Sequence, residues 1–380
     1  MTRTLTASIR RMKQMKGPAR MTKATRSWQR AMTGIMVKTA LAPITALKPK
    51  SAKPRKAAAA KTGRELGAVL KQLSTARSIA AEARSRSEGR PATPRVPEGA
   101  HYVERTHRSA AGSRRYKLYM PANKTKQPAG LVVMLHGCSQ TPDDFAKGTH
   151  MNALGEKHGL VIAYPEQTGG HNAAGCWNWF KPGDQRRGAG EPAILASIAR
   201  KLMKEFGLDR DSVFVAGLSA GGAMAAILAD VYPDVFSAAG VHSGLARGSA
   251  CNVITAMSAM RKGASERFVP ILPARASPVR RIIFHGDADS TVHPSNASML
   301  VAAAVGGDAL PARIGNRSVR GRGYVRSDFT GSDGAALVEL WMIEGAGHAW
   351  SGGRAAGSYT DSKGPNASAE MIRFFMTKDV

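Results

Sequence analysis

Residues 213 to 232 read VFVAGLSAGGAMAAILADVY: an apolar run of strand length, then Gly217-Leu218-Ser219-Ala220-Gly221, then small apolar residues suited to a helix. This passage constrains the fold more than any other. A strand that turns sharply into a helix leaves no room for side chains on either flank, so Gly stands on both sides of the central Ser. The hydroxyl is then offered at the carboxyl end of the strand, and the first N–H groups of the helix face the same spot, where negative charge is favoured. Such a setting suits a nucleophilic serine. With 40 Gly in 380 residues the pentapeptide alone recurs by chance, so its strand and helix carry the meaning.

The rest of the chain agrees with that context. Apolar runs at 116–119, 131–135, 160–164, 213–216, 238–242, 281–284 and 337–343 have strand length, and several are continuous Val, Ile and Leu rather than alternating. Continuous runs mark strands buried on both faces. Helical patterns lie between them at 145–158, 192–206, 222–232, 295–305 and 367–376. The order predicts an α/β fold with a mostly parallel central sheet flanked by helices. No internal repeat is present.

A serine nucleophile needs a base and a group that orients the base. The strand at 281–284 runs into His285-Gly286-Asp287-Ala288-Asp289, and the strand at 337–343 into Glu344-Gly345-Ala346-Gly347-His348. Asp289, beyond the tight His-Gly turn, is the carboxylate expected to orient the imidazole of His348; Asp287 is the alternative, and capping of the next helix is a further role open to both. His136, His242 and His285 stand at strand ends and are expected to be structural, while His293, before Pro294, is the rival base. The strand at 131–135 enters His136-Gly137-Cys138, the place for one oxyanion donor. The two donors are assigned to the N–H groups of Cys138 and Ala220.

Charge divides the chain. Of 55 Lys and Arg and 27 Asp and Glu, residues 1–100 hold 23 and 4, so most of the net +28 belongs to that segment. Residues 48–61 (KPKSAKPRKAAAAK) cannot bury much apolar surface, 63–86 has helical character, and a Pro-containing linker spans 90–97. Residues 1–100 therefore read as a basic, low-complexity, partly helical or disordered extension, and 101–380 as the catalytic domain. The arm is a solvated tail or a contact for a polyanion or a granule surface. No apolar run reaches 18 residues, so no transmembrane helix is expected. The basic start is followed by a weakly leader-like stretch that Lys38 interrupts, which leaves both an exported and a cytoplasmic location open.

From about Tyr116 to Phe375 the chain resembles the polyhydroxybutyrate (PHB) depolymerase family of esterases. The motifs are HGCSQTPDDFAKGTHMN from His136, YPEQ from Tyr164, CWNWF from Cys176, GLSAGG from Gly217, HGDADSTV from His285 and GAGHAWSGG from Gly345. The resemblance implies an α/β-hydrolase fold and a serine esterase that cleaves poly(3-hydroxybutyrate), its oligomers or related short-chain esters through an acyl-enzyme, without metal or organic cofactor. The family also includes feruloyl and acetyl-xylan esterases, so substrate transfers less well than mechanism. Soluble oligomers, amorphous polymer or short-chain esters are expected ahead of crystalline polymer, on which activity stays open. The resemblance favours an extracellular or periplasmic location.

Two of the three cysteines, Cys138 and Cys176, fall inside these motifs and are expected near the site, either as a disulfide clamping the oxyanion loop or as two free thiols; Cys251 is expected to be a free thiol. Trp177, Trp179, Phe180 and Trp350 are candidates for an apolar wall against the substrate, with core packing as the alternative. Two non-enzymatic readings compete: a granule-associated binding protein with an inactive hydrolase domain, and a nucleic-acid-binding protein supported by charge alone.

Overall fold

The computed structural model describes Pro94 and residues 96–122, 127–263, 279–306, 311–330 and 336–377. The basic arm and the helical stretch at 63–86 lie outside the described residues.

Strand parity builds the fold. In β3 (Gly130–Leu135), β4 (Leu160–Pro165) and β5 (Val213–Leu218) every residue is buried. Alternate side chains point to opposite faces of the sheet. Leu131, Val133, Leu135, Val213 and Val215 join one core with α3 (Gly190–Phe206) and α4 (Ala220–Val231). Val132, Met134, Phe214, Ala216 and Leu218 join the other, with α1 (Pro142–Thr149), α2 (Met151–His158) and α7 (Ala367–Met376). The α/β-hydrolase architecture anticipated above follows, with helices covering both faces of one sheet.

The remaining strands and α-helices are β1 (His101–Ser109), β2 (Gly112–Met120), β6 (Ala238–His242), α5 (Val253–Lys262), β7 (Arg280–Gly286), α6 (Ser295–Val305), β8 (Arg313–Val319), β9 (Arg322–Thr330), β10 (Ala336–Ile343) and the short pair β11 (Trp350–Ser351) and β12 (Thr360–Asp361). Ten strands form one sheet in the order β1-β2-β4-β3-β5-β6-β7-β10-β9-β8. The run β4-β3-β5-β6-β7-β10 is parallel throughout, and antiparallel pairs extend it on both sides.

Several elements depart from the sequence reading, among them the edge strand β1, which precedes the first expected strand. The helix expected at 145–158 is two helices, because His150 takes a left-handed conformation (φ 55°) that ends α1 and restarts the chain as α2. The hairpin β8–β9 was not anticipated, since β8 (RIGNRSV) is exposed along nearly its whole length and offers no apolar period. Nor was α5, whose start is fixed by a capping box in which the Asn252 side chain accepts from Thr255 N–H.

Close packing of α4 on the sheet follows from its seven Ala and Gly residues, and all twelve residues of the helix are buried. Its far end carries an ion cluster: Asp230 accepts from the buried Arg281 of β7 and, at 3.1 Å, from Arg247. No helix among the described residues is long and apolar enough to cross a membrane.

Candidate functional site

The turn at Ser219 is sterically dictated. A Cβ on Gly217 would lie 2.3 Å from the carbonyl carbon of Gly221, and one on Gly221 would lie 2.1 Å from Leu135 O. Both distances are impossible for a side-chain carbon, so glycine is required at each position. Ser219 itself sits at φ 57°, ψ −119°, a region costing a non-glycine residue about 1–3 kcal/mol. Two backbone hydrogen bonds hold it there: Ser219 N–H donates to His242 O at 2.9 Å, and Ser219 O accepts from Ala223 N–H at 2.9 Å. The hydroxyl makes no hydrogen bond to another described residue.

Ser219, Asp289 and His348 follow the carboxyl ends of β5, β7 and β10, which with β6 are consecutive parallel strands. They therefore stand at one edge of the sheet. Gly286 allows the two later loops to touch, since a Cβ there would meet Ala346 O at 2.2 Å.

Asp289 is locked from both sides. Its Oδ1 accepts from Thr291 N–H (2.9 Å) and Val292 N–H (2.8 Å), and its Oδ2 accepts from His348 Nδ1–H at 2.8 Å. Burial pushes its pKa up, but the His348 hydrogen bond and charge, the Val292 N–H and His285 outweigh it and bring the carboxyl down to about 2. It is thus ionised at neutral pH and fixes the imidazole with Nδ1 protonated and Nε2 free to act as a base. Asp287 is occupied elsewhere, accepting from Gly345 N–H at 2.6 Å.

The other histidines have structural places. His136 is fully buried; its Nε2 accepts from Gln167 N–H (3.0 Å), so its Nδ1–H donates to Gly137 O (2.7 Å). That carbonyl shares a peptide plane with Cys138 N–H, which therefore points the opposite way. Burial lowers the His136 pKa to about 4 and that of His242 to about 3, keeping both neutral. His242 Nε2 accepts from Ser351 N–H at 3.0 Å. His285 Nε2–H donates to Val292 O at 2.8 Å and thereby braces the turn that binds Asp289. His293 is exposed and pairs with the Ser295 hydroxyl at 2.8 Å.

Cys138 N–H and Ala220 N–H have no acceptor among the described residues, and Ala220 is the first residue of α4. Cys138 is joined to Cys176 by a disulfide with Cα atoms 4.2 Å apart, while Cys251 is an exposed free thiol. Ser139 N–H donates to Ala174 O at 3.2 Å, a second tie between the same two loops.

Packing against the protein favours the core alternative for the aromatics. Trp177 is 0% exposed, donates from Nε1 to His136 O at 3.0 Å, and packs beside Arg114. Trp350 is 1% exposed, lies between Phe145 and His242, and donates to Ser368 Oγ at 3.0 Å. Trp179 is 5% exposed and meets Phe180 edge-on. Trp177 and Trp350 are structural supports behind the loops, and neither offers a ring face to a substrate.

Behind Trp177 lies a polar network that sequence reasoning missed. Arg114 donates to Gln167 Oε1 (2.7 Å), Gln167 Nε2 to Glu191 Oε1 (2.6 Å), and Asn178 N–H to Glu191 Oε2 (2.7 Å). Burial pushes the Glu191 carboxyl up, against the Asn178 hydrogen bonds and the Arg114 charge. The network holds the loop carrying Cys176. Gln167 falls inside the YPEQ motif, which signalled importance but no role. Among the described residues no group of three or more His, Cys, Asp or Glu side chains is placed to hold a metal ion.

The family model described as "Esterase PHB depolymerase" matches residues 114–325. Poly(3-hydroxyalkanoate) depolymerase C of Paucimonas lemoignei is 32% identical over 242 residues, covering 60% of this chain and 56% of that protein. A probable acetylxylan esterase A of Aspergillus clavatus is 30% identical over 193 residues, covering 47% and 61%. The match thus spans about three-fifths of the length of these curated relatives. Among solved structures, an acetyl xylan esterase from Aspergillus awamori superposes with a TM-score of 0.53 at 22% identity, covering 66% of this chain and 93% of that one, a likeness of fold.

Proposed function

The chain belongs to the PHB depolymerase family of esterases, and on that premise we propose that it is a serine esterase with Ser219 as nucleophile, His348 as general base and Asp289 as the group that orients the base. The observation that carries the reading is the 2.8 Å bond from His348 Nδ1 to Asp289, at the sheet edge where the strained Ser219 turn also ends. His348 Nε2 takes the proton of the Ser219 hydroxyl as its oxygen attacks the ester carbonyl. The negative oxygen of the tetrahedral intermediate accepts from the N–H groups of Cys138 and Ala220, and loss of one such donor costs about 10²- to 10³-fold in rate. The imidazolium then protonates the departing alcohol, and water, activated by the same nitrogen, hydrolyses the acyl-enzyme.

Poly(3-hydroxybutyrate), its oligomers and related short-chain esters are the proposed substrates, supported by the family match and the Paucimonas relative. Acetylated xylan is the second reading, favoured by the Aspergillus relatives. The Cys138–Cys176 disulfide favours an oxidising compartment. Contact of the basic arm with a polyanion or granule surface belongs to the proposal on charge alone. Hydrolysis of p-nitrophenyl butyrate by the parent, with a loss of about 10⁴-fold or more in Ser219→Ala, is the expected result. Unchanged activity in that variant would refute the assignment, and product analysis with poly(3-hydroxybutyrate) and acetylated xylan separates the substrates.

A further inference from the structure

The turn that carries Cys138 and the segment that follows His348 are tied by one side chain, Gln140, which is buried. Its Oε1 accepts from Gly137 N–H at 2.9 Å, and its own N–H returns to Gly137 O at 3.3 Å. Its Nε2 donates toward Ser358 O (3.1 Å), Ser358 Oγ (3.2 Å) and Asp144 Oδ2 (3.0 Å). Asp144 completes the clasp, with Oδ1 accepting from Ser358 N–H (2.9 Å) and Oδ2 from the Ser358 hydroxyl (2.5 Å).

The next residue, Tyr359, accepts through its carbonyl from Trp350 N–H at 2.7 Å, and Trp350 stands two residues beyond His348. Steric fit adds to the hydrogen bonds. A Cβ on Gly357 would lie 2.5 Å from both Asp144 O and Gly148 Cα, so this segment lies directly on α1. A continuous path therefore runs from Gly137, beside the oxyanion donor, through Gln140, Ser358 and Tyr359 to the strand that starts after the base.

We propose that Gln140 is a positioning residue that sets the separation between the Cys138 N–H and the His348 imidazole by clamping the oxyanion turn to the segment after the base. It touches no reacting atom and acts through the two backbones it joins. The inference rests on the esterase reading given above. A displaced donor weakens binding of the tetrahedral oxyanion far more than binding of the neutral ester, so the effect falls on kcat and spares KM.

The test uses p-nitrophenyl butyrate kinetics and inhibition by an aryl trifluoromethyl ketone, whose adduct with the serine carries an oxyanion. Gln140→Met is expected to lower kcat by about 10- to 100-fold with KM within about threefold, and to weaken the ketone by a similar factor. Gln140→Glu keeps the acceptor for Gly137 N–H but sets a carboxylate against Asp144, so it too loses kcat. Adding Asp144→Asn supplies an amide donor to that carboxylate and should recover activity over Gln140→Glu alone. A folded Gln140→Met protein with kcat and ketone affinity within about twofold of the parent overturns the inference. If that variant does not fold, failure of the double variant to recover any activity overturns it. Ser219→Ala run alongside separates the two claims, because parental activity there defeats the esterase assignment whatever Gln140 does.

Discussion

At the scale of single residues, the site is governed by places where only one side chain fits. Gly221→Ala puts a methyl where Leu135 O already stands, and neither backbone can yield without moving the Ser219 turn. Loss of activity by about 100-fold or more, with a lowered melting temperature, is expected, since a displacement of about 1 Å has that effect. A melting curve and a p-nitrophenyl butyrate assay of one preparation check both. Asp289→Asn is subtler. The amide oxygen still accepts from Thr291 and Val292, but its NH₂ now faces His348 Nδ1 and selects the wrong tautomer. A fall in kcat of about 10⁴ with little change in fold is the expected result, and a fall below tenfold would defeat the role given to Asp289. These positions were legible because their chemistry is local: a Gly-flanked Ser, and a carboxylate and an imidazole each just past a strand. The aromatics were not legible in the same way. Hydrophobicity reports that Trp177 and Trp350 are buried, and only coordinates tell whether protein or substrate covers them.

Among elements, legibility follows burial. The strands buried on both faces were found within a residue or two, and α6 and α7 have the bounds their periodicity gave. The exposed β8 gave no signal because its partner is a strand and not the core. The break between α1 and α2 was hidden for another reason: it rests on one left-handed histidine, a conformation that sequence pattern does not mark. The link between α4 and β7 was equally silent, and it carries a prediction. Asp230 is the shared counterion of Arg281 and Arg247, and two of the Arg281 nitrogens, Nε and Nη1, already lack hydrogen-bond partners among the described residues. Asp230→Asn leaves the buried guanidinium without a neutralising charge, which costs about 3–5 kcal/mol. Replacing Asp230 and Arg281 together by Leu and Met should cost less than Asp230→Asn alone. Urea unfolding of the variants decides, and a loss under about 1 kcal/mol in Asp230→Asn would show the pair to be incidental.

For the whole molecule, the same sheet edge that assembles the site also concentrates buried histidines, and that gives the fold a pH limit. His136, His242 and His285 are fully buried and held neutral by desolvation, with His136 brought to about 4 and His242 to about 3. Unfolded histidines titrate at about 6.5, so below that pH the unfolded chain binds protons that the folded chain refuses. Stability is therefore full above about pH 6.5 and falls as the pH drops toward the folded values, by about 1.4 kcal/mol per pH unit for each histidine. Asp289, lowered to about 2, adds a loss of the same sign in a lower window, between its unfolded value of about 4 and 2. Glu191, pushed up by burial, opposes in part, since its contribution grows as the pH falls through its folded value. The histidines outnumber it and act over a wider range. Urea midpoints measured from pH 7.5 to 4.5 should be flat at first and then drop steeply below pH 6.5, with an uptake of about two to three protons on unfolding near pH 5. A midpoint unchanged down to pH 5 would mean that the three rings are solvated in the folded protein. The hydrogen bonds assigned to them, including the one that orients the Cys138 peptide, would then have to be abandoned.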